Sequence, residues 1–590
     1  MKKTLQCCDG ETCLHQSEDK GRSPVPRLPV CPKETVSMMT CDRVRLDADV
    51  YRPDAAGVFP VLLMRQPYGR EIASTVVYAH PIWYTAQGFI VVIQDVRGRG
   101  TSAGEFRLFE HEISDGYETV KWAAQLPQSN GKVGMYGFSY QGMTQLFAAQ
   151  AQPSALAAIA PAMVGYHPRT DWAYENGALL LQAGLGWAIQ LAAETARLQG
   201  DQTAFQALYR ASRQLPLQDE VAACPEVLTK YAADSFFHDW IAHPEDTAYW
   251  QKITPQLEAI DLPMLHVGGW FDPYLRGNMR LYHEMAARSC FPQPLWIGPW
   301  GHIPWGPKVG DRDFGPLANS PIDQLQVDWF STLLKDPKAP SYVATVNLFE
   351  MGTNQWRRFP TWPQTSDQIW QFLSNGLAAM NQLDGWLAGA EPMDNSTVKE
   401  LQAAATESVD TAADVIDVLV HDPWRPVPSL GGHAGIPSGS FDRSAVDGRS
   451  DVLTYTSSPL SEPLHVMGQI RVVLYCKSDR PSFDLCCTLS EKLSSGDAYP
   501  LTQGYGRFEA QASAWNTYTL LLQPTCFCVM PGKSLRLSIS AACYPAYALN
   551  EGTGAPPAQS RLLESKVITI TLQVGVKSQT KLILPRVSDA

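Results

Sequence analysis

The stretch VGMYGFSYQGMTQLFAA, residues 133–149, decides the fold of this 590-residue chain. It reads as a short apolar strand, a tight turn around Ser139 and a helix. A serine at such a turn is a nucleophile-elbow pattern, in which small residues such as Gly137 and Gly142 let the sharply bent chain pack against itself. The usual pattern has glycine two residues after the serine, whereas this chain has Gln141 there. Taken alone, the match leaves open that Ser139 is an ordinary turn residue.

Apolar runs on both sides of this turn predict a parallel sheet. Residues 61–64, 89–93 and 264–267 are continuous apolar strands separated by helical patterns. Strands that are buried on both faces, as in a parallel sheet covered by helices, have this composition. Between residues 163 and 250 the strand signals vanish and helix formers dominate, which predicts a helical cap inserted into the sheet domain.

Two later strands each end at a residue that can complete a catalytic triad with Ser139. Asp272 directly follows the apolar run that starts at residue 264, and His302 follows the next one, residues 295–301. An Asp after a strand is usually a turn former and a lone His usually lies at the surface. Their joint appearance in the chain order Ser, Asp, His, on loops that contain glycine, is typical of α/β-hydrolases. We therefore predict that Ser139 is the nucleophile, His302 the general base and Asp272 the group that orients the histidine.

The C-terminal part of the chain has a different pattern. From about residue 342 onward, β-type runs such as residues 470–475, 535–539 and 567–572 predict an antiparallel β-sandwich of the jelly-roll kind. The first 34 residues are polar, without apolar periodicity. The predicted domains are an N-terminal extension at 1–34, an α/β-hydrolase catalytic domain at 35–162 and 251–341, a helical cap at 163–250 and a β-sandwich at 342–590.

Composition and charge exclude several classes of protein. The formal net charge of −12, without clustered Lys and Arg, argues against nucleic acid or an anionic membrane as partner. No run approaches the roughly 18 apolar residues of a membrane span, and the N-terminus turns polar too early for a signal peptide, so we expect a cytoplasmic protein. The 13 cysteines are odd in number and scattered, which does not indicate a disulfide framework. Cys7, Cys8, Cys13 and His15 fit no recognised ligand spacing, so no metal is predicted.

Several motifs together resemble the cocaine esterase and X-Pro dipeptidyl peptidase (CocE/NonD) family of serine hydrolases, which also includes α-amino-acid ester hydrolases and glutaryl acylases. The resemblance runs from about Thr40 to the C-terminus. Its motifs are residues 95–102 (DVRGRGTS), 137–142 (GFSYQG), 268–272 (GGWFD), 298–302 (GPWGH), 351–357 (MGTNQWR), 422–432 (DPWRPVPSLGG) and 451–456 (DVLTYT). In that family the glycine after the elbow is displaced as it is here, so the resemblance supports Ser139 despite Gln141.

The resemblance also implies an oxyanion hole and an acyl pocket. Family members use the backbone N–H of the residue after the serine, here Tyr140, and a tyrosine hydroxyl from an early loop, for which Tyr68 is the candidate. Removal of one such donor typically costs about 10²–10³ in turnover. The resemblance further implies that Trp172, Trp187 and Tyr274 line the acyl pocket, although cap tryptophans are often plain core.

The residues after Asp272 differ from those of the α-amino-acid ester hydrolases, and this difference narrows the expected substrate class. The α-amino-acid ester hydrolases carry extra acids after the catalytic aspartate, whereas here Asp272 is followed by Pro273, Tyr274 and Leu275. We therefore expect a neutral or apolar acyl group in a small-molecule ester. Cleavage of an amide or peptide, or acyl transfer, on the same triad is the alternative. A non-catalytic binding protein is disfavoured because a complete triad is present.

No cofactor is implied by this chemistry, because a serine and an imidazole suffice for acyl transfer. Neither nucleic acid nor a membrane is expected as a partner. The oligomeric state is left open, with a homodimer as one option.

Overall fold

The structure is a computed structural model that describes residues 27–245, 247–335, 344–389, 414–510 and 513–587. Cys7, Cys8, Cys13, His15 and most of the predicted N-terminal extension lie outside these residues. Within the described residues, no helix is both long and apolar enough to serve as a membrane span.

The described strands fall into two groups along the chain. The first group is β1 (Glu34–Met39), β2 (Arg45–Tyr51), β3 (Phe59–Gln66), β4 (Ile90–Asp95), β5 (Ser129–Phe138), β6 (Leu156–Ala162), β7 (Tyr174–Glu175), β8 (Ala178–Leu179), β9 (His266–Phe271), β10 (Leu295–Gly301), β11 (Lys308–Val309), β12 (Arg312–Asp313), β13 (Val346–Glu350) and β14 (Gln355–Phe359). The second group is β15 (Ser366–Ser374), β16 (Gly385–Ala388), β17 (Val415–His421), β18 (Val452–Ser457), β19 (Leu464–Gly468), β20 (Arg471–Ser478), β21 (Ser482–Lys492), β22 (Ala498–Glu509), β23 (Asn516–Leu521), β24 (Thr525–Val529), β25 (Ser534–Ser540), β26 (Ile568–Val574) and β27 (Lys581–Arg586).

Most of the described helices lie in the first two thirds of the chain. The α-helices are α1 (Pro81–Ala86), α2 (Glu112–Ala124), α3 (Tyr140–Gln150), α4 (Leu181–Gln199), α5 (Gln202–Arg213), α6 (Glu226–Tyr231), α7 (Phe236–Ala242), α8 (Ala248–Lys252), α9 (Leu275–Arg288), α10 (Ile322–Phe330) and α11 (Ser444–Asp447). Short 3₁₀ turns occur at Ala73–Thr75, Leu257–Ala259, Pro316–Ala318, Pro557–Gln559 and Leu562–Glu564, and single π turns at Pro168–Ala173 and Ser331–Lys335.

The first sheet is the predicted α/β sheet. Its strand order is β1-β2-β4-β3-β5-β6-β9-β10-β13-β14. The pairs from β4 through β13 are parallel, while β1, β2 and β14 are antiparallel to their neighbours. The carboxyl ends of β5, β9 and β10 therefore lie at the same edge of one sheet. The α/β-hydrolase fold class is confirmed.

Alternation along the buried strands explains why helices cover both faces of this sheet. In β3, Val61 and Leu63 pack into one core, together with Val120 of α2 and Leu146 of α3. The intervening residues of the same strand pack into another core with α1 and α10. Because successive strand residues point to opposite faces, an unbroken apolar run needs a helix layer on each side.

The second sheet forms the predicted C-terminal β-sandwich domain. Thirteen strands, β15 to β27, pair into a sheet whose main path is β17-β26-β20-β27-β15-β16-β18-β25-β21-β22, while β19, β23 and β24 pair at its sides. Its hydrophobic core is continuous with Trp270, Phe271 and Leu275 at the end of β9 and the start of α9. The sandwich therefore packs directly against the part of the first sheet that carries Asp272.

Three features differ from the predicted domain boundaries. The first sheet extends past residue 341, because β13 pairs with β10 and β14 pairs with β13. The cap is not purely helical, since Asn176 and Gly177, both with positive φ, make the turn of the small hairpin β7–β8. Residues 27–34 are not outside the fold, because the Leu28 and Cys31 N–H groups donate to Ala86 O and Arg52 O.

Candidate active site

Ser139 lies at a sharp turn between β5 and α3. Its backbone has φ 60° and ψ −126°, a conformation that costs a non-glycine residue energy and persists only where neighbours fix it. The Ser139 N–H donates to Ala162 O at 2.9 Å, and Ser139 O accepts from Gly142 N at 2.8 Å. The strand-to-helix elbow predicted from the sequence is therefore present at this serine.

Two glutamines on the first turns of α3 hold the elbow. Gln141 Oε1 accepts from Phe138 N at 3.2 Å, and a Cβ on Gly137 would come within 2.5 Å of the Gln141 Cβ. Gln145 donates to Gly137 O at 3.0 Å and accepts from Ala160 N at 2.9 Å. Gln141, which departs from the usual pattern, thus has a structural role. Gln145 was missed by the sequence reasoning, and no spacing rule would have singled it out.

Asp272 and His302 form a hydrogen-bonded pair at the same edge of the sheet. Asp272 follows β9 and is fully buried, and its Oδ2 lies 2.6 Å from His302 Nδ1. Its other oxygen accepts from Tyr274 N at 2.7 Å. The His302 side chain is 26% exposed. Since Nδ1 faces the carboxylate, Nε2 is the ring nitrogen left for proton transfer.

His302 packs against the residue that precedes Ser139. The ring of Phe138, the residue before Ser139, lies 5.4 Å from the His302 ring between centroids. The Ser139 hydroxyl does not cap helix α3. Catalytic hydrogen bonds are often long or poorly aligned before substrate binds. The Ser139–His302 contact therefore stays a prediction, and the structure provides the acid–base pair and the elbow on which it depends.

The two predicted oxyanion donors come from the ends of β3 and β5. Tyr140 is the first residue of α3, so its N–H has no intrahelical acceptor. Its hydroxyl is used elsewhere, because it donates to Glu112 at 2.9 Å. Tyr68 follows β3, and burial raises the pKa of its phenol to about 12, with the neighbouring Trp187 indole acting in the opposite direction. Tyr68 is therefore a protonated donor at neutral pH.

The three predicted pocket residues form one continuous aromatic wall. The Trp172 ring lies 4.3 Å from Tyr274 and 5.4 Å from Trp187, between centroids. Tyr274 meets the His302 ring edge-on at 5.0 Å. Trp172 is buried and donates its indole N–H to Gly165 O, while Trp187 and Tyr274 are partly exposed. The wall thus joins the cap to His302.

The sequence reasoning missed a buried ion network centred on Glu175. Glu175 of β7 is fully buried and accepts from Arg276 at 2.7 Å, His433 at 2.8 Å, Tyr547 at 2.6 Å and Tyr505 N at 3.2 Å. Burial alone would raise the pKa of Glu175, but Arg276 and His433 lower it to about 2. We call these five residues the Glu175 junction. They tie the cap, helix α9 and the β-sandwich together.

The described residues contain no group of three or more His, Cys, Asp or Glu side chains arranged to hold a metal ion.

Comparisons with known proteins agree with this architecture. Residues 42–304 match the model of the X-Pro dipeptidyl-peptidase (S15) family, and residues 342–581 match the model of its C-terminal non-catalytic domain. The chain is 29% identical to cocaine esterase of Rhodococcus sp. (strain MB1 Bresler) over 574 residues, which cover 92% of this chain and 96% of that one.

Solved structures show the same fold at lower identity. An aminopeptidase from a marine sediment Thaumarchaeota archaeon superimposes with a TM-score of 0.77 at 20% identity, covering 98% of this chain and 100% of the other. An α-amino acid ester hydrolase gives a TM-score of 0.73 at 21% identity, again covering 98% and 100%.

Proposed function

Because the chain belongs to the X-Pro dipeptidyl-peptidase (S15) and cocaine esterase family of serine hydrolases, we propose that it hydrolyses a carboxylic ester through an acyl-enzyme on Ser139. The observation that carries this proposal is the 2.6 Å bond between Asp272 and His302 at the sheet edge where the Ser139 elbow opens. A serine hydroxyl is unreactive at neutral pH until an adjacent base takes its proton. The bond to Asp272 supports His302 as that base.

The mechanism follows from the roles of the three residues. His302 Nε2 takes the Ser139 proton as the hydroxyl oxygen attacks the ester carbonyl, and Asp272 stabilises the imidazolium that forms. The carbonyl oxygen becomes an oxyanion, which accepts from the Tyr68 hydroxyl and the Tyr140 N–H. His302 then protonates the leaving alcohol, and the acyl group remains on Ser139. A water molecule, deprotonated by His302, releases the acid by the same steps in reverse.

The aromatic wall supports an apolar acyl group next to the scissile bond. Trp172, Trp187 and Tyr274 present ring faces and edges, and Asp272 itself is occupied by His302 and Tyr274 N. No second carboxylate follows Asp272 to bind a substrate ammonium. The proposed substrate is thus a small-molecule ester, with no cofactor, metal, nucleic acid or membrane required. A cytoplasmic location, and a homodimer, belong to this proposal as well.

Amide or peptide hydrolysis, or acyl transfer, is the second candidate on the same triad. The match of both parts of the chain to X-Pro dipeptidyl-peptidase models favours it. These reactions share the acyl-enzyme and differ only in the leaving group or the acceptor.

The test is a product assay that compares p-nitrophenyl esters of varied acyl size with X-Pro p-nitroanilides. We expect esters with apolar acyl groups to be cleaved with the higher kcat/KM. Ser139→Ala should abolish this turnover, whereas Ser114→Ala, at an exposed serine of α2, should leave it unchanged. Turnover that survives in Ser139→Ala would contradict the proposed nucleophile, and preferential cleavage of X-Pro anilides would favour the second candidate.

A further inference from the structure

Three soft donor groups meet on one face of the β-sandwich domain. His465 of β19 lies directly opposite Cys528 of β24 in the antiparallel register, and Met530 follows Cys528 two residues later. Cross-strand partners lie on the same face of a sheet, and so do residues two apart along a strand. The pairing of β19 with β24 therefore places an imidazole, a thiol and a thioether side by side.

The distances between these donor atoms suit a bound metal ion. Cys528 Sγ lies 3.7 Å from His465 Nε2 and 3.7 Å from Met530 Sδ. Metal bonds of about 2.0–2.3 Å to nitrogen and sulfur, at tetrahedral or trigonal angles, separate two ligand atoms by roughly 3.6–4.0 Å. Both measured separations fall in this range, so the three donors can bind one ion with little movement.

Glu350 at the end of β13 orients the imidazole for this role. Its Oε1 lies 2.9 Å from His465 Nδ1, so the Nδ1–H group donates to the carboxylate and Nε2 keeps its lone pair towards Cys528. Histidines that bind metals commonly donate their second ring N–H to a carboxylate in this way. Glu350 also accepts from Arg357 at 2.9 Å and from Thr353 at 2.7 Å, so its oxygens are occupied and it is not itself a ligand.

The three donors can be reached from solvent although the thiol itself is buried. Cys528 is 1% exposed, whereas Met530 is 38% exposed and the His465 side chain 25%. A plausible metal site needs an entry path as well as ligands at suitable distances. The exposed methionine provides that path, and the buried thiol is the ligand that is shielded from water.

This set of donors favours monovalent copper over zinc. Thiolate and thioether ligands are soft and select Cu(I), whereas structural zinc sites take four ligands from Cys, His and carboxylate side chains. Among the described residues, no three His, Cys, Asp or Glu side chains are arranged to hold a metal, so Cys528 is not part of a zinc ligand set. A single thiolate also neutralises the single charge of Cu(I), which makes the ion less costly to hold in a partly buried place.

We propose that Cys528, His465 and Met530 bind one Cu(I) ion through Sγ, Nε2 and Sδ. The thiol releases its proton to solvent as the bond between copper and sulfur forms. Copper stays monovalent in this step, so no electron is transferred and no oxidant or reductant is consumed. None of the three residues has a role in the proposed ester hydrolysis, so this inference stands or falls independently of that function.

The test is a competition for Cu(I) between the full-length protein and the chelator bicinchoninate, without oxygen and with ascorbate present. Because the chain has further soft donors near its N-terminus, every protein in the test carries Cys7→Ser, Cys8→Ser and Cys13→Ser. We expect one tightly bound Cu(I) per chain. Glu350→Gln should raise the Kd about 10–100-fold, as the loss of a partner that orients a ligand typically does, and Cys528→Ala should raise it by more.

Two control variants and one exposed variant complete the comparison. Cys487→Ala removes another buried thiol of the sandwich and Met380→Leu removes a more exposed methionine, and both should leave the Kd unchanged. Met530→Leu changes a partly exposed side chain to one of similar size, so it tests the site even if Cys528→Ala does not fold. We expect Met530→Leu to raise the Kd about tenfold or more, in the range seen for changes around a metal site.

X-ray absorption spectra of the copper-loaded protein identify the ligands directly. The parent should show two sulfur ligands and one imidazole nitrogen, and Met530→Leu should show one sulfur fewer. A Kd that is the same in the parent and in Met530→Leu would overturn the proposal. Copper bound without an imidazole ligand, or displaced by an equal concentration of Zn²⁺, would overturn it as well.

Discussion

Asp272 and Glu175 are both fully buried carboxylates near the start of α9, but they differ in the number and kind of their hydrogen-bond donors. At the sheet edge that also carries Ser139, which we call the proposed catalytic edge, Asp272 has one side-chain partner, His302, whose ring is partly exposed, and one backbone donor. At the Glu175 junction, the carboxylate accepts from four donors. The same chemical group thus serves two purposes. A carboxylate with one titratable partner at the surface can assist proton transfer, whereas a carboxylate saturated with buried donors fixes the positions of the elements around it.

The largest effect on activity is expected at Asp272. Asp272→Asn should lower kcat by about 10⁴, because the amide favours the wrong histidine tautomer and does not stabilise the imidazolium. Steady-state kinetics on the best ester measures this effect. A loss of less than tenfold would show that Asp272 does not orient the general base.

Glu175→Gln should act on stability rather than on chemistry. It leaves Arg276, whose side chain is only 14% exposed, without a full counter-charge, and breaking a largely buried pair in this way typically costs about 3–5 kcal/mol in the free energy of unfolding. Denaturant unfolding measures the change. Glu245→Gln is the matched control, because Glu245 is 87% exposed and forms only a long pair with Arg169. Equal effects of the two variants would contradict the role assigned to the junction.

Tyr68→Phe tests whether the proposed catalytic edge includes the second oxyanion donor. We expect kcat to fall by about 10²–10³ with little change in KM, because the hydroxyl acts mainly on the charge that develops in the transition state. Tyr78→Phe is a suitable control, since Tyr78 is also buried but packs against Tyr136 and Trp305. If Tyr68→Phe leaves kcat unchanged, the second oxyanion donor is a group other than the Tyr68 hydroxyl.

The contribution of Glu175 to the free energy of unfolding should depend on pH in a way that identifies its charge state. The pKa of Glu175 is about 2 in the folded chain against an ordinary value of 4.5. A lowered folded pKa stabilises the fold above the unfolded pKa, and this contribution, about 3 kcal/mol, is lost as the pH falls from 4.5 towards 2. The difference in unfolding free energy between the parent protein and Glu175→Gln should therefore shrink over this range. A difference that stays constant with pH would contradict the ionised state of Glu175.

The placement of Ser139, Asp272 and His302 at one edge of the sheet could be predicted from the sequence, because each residue follows a recognisable apolar strand. Ser139, Asp272 and His302 stand directly after β5, β9 and β10, and parallel strands bring their carboxyl ends to one edge. The junction could not be predicted in this way. Glu175 and Tyr547 are 372 positions apart, and no local pattern reports that they meet.

Other differences have physical reasons of the same kind. The sequence pattern at β13 and β14 predicts strands, but it does not tell which sheet they join. The predicted domain boundary at residue 341 therefore assigned these two strands to the sandwich, whereas they belong to the first sheet. The hairpin β7–β8 was missed, although the pair Asn176-Gly177 is a sequence signal for a hairpin turn. The elbow's support by Gln145 depends on a side chain that reaches across to Gly137 and Ala160, which only coordinates reveal.

Covalent labelling tests the central role of Ser139 most directly. The intact protein is treated with a fluorophosphonate probe and the modified peptide is identified by mass spectrometry. One adduct per chain is expected, located on Ser139, and it should be absent in Ser139→Ala while that variant remains folded. An adduct on a different serine, or ester turnover without any labelling, would contradict the acyl-enzyme mechanism.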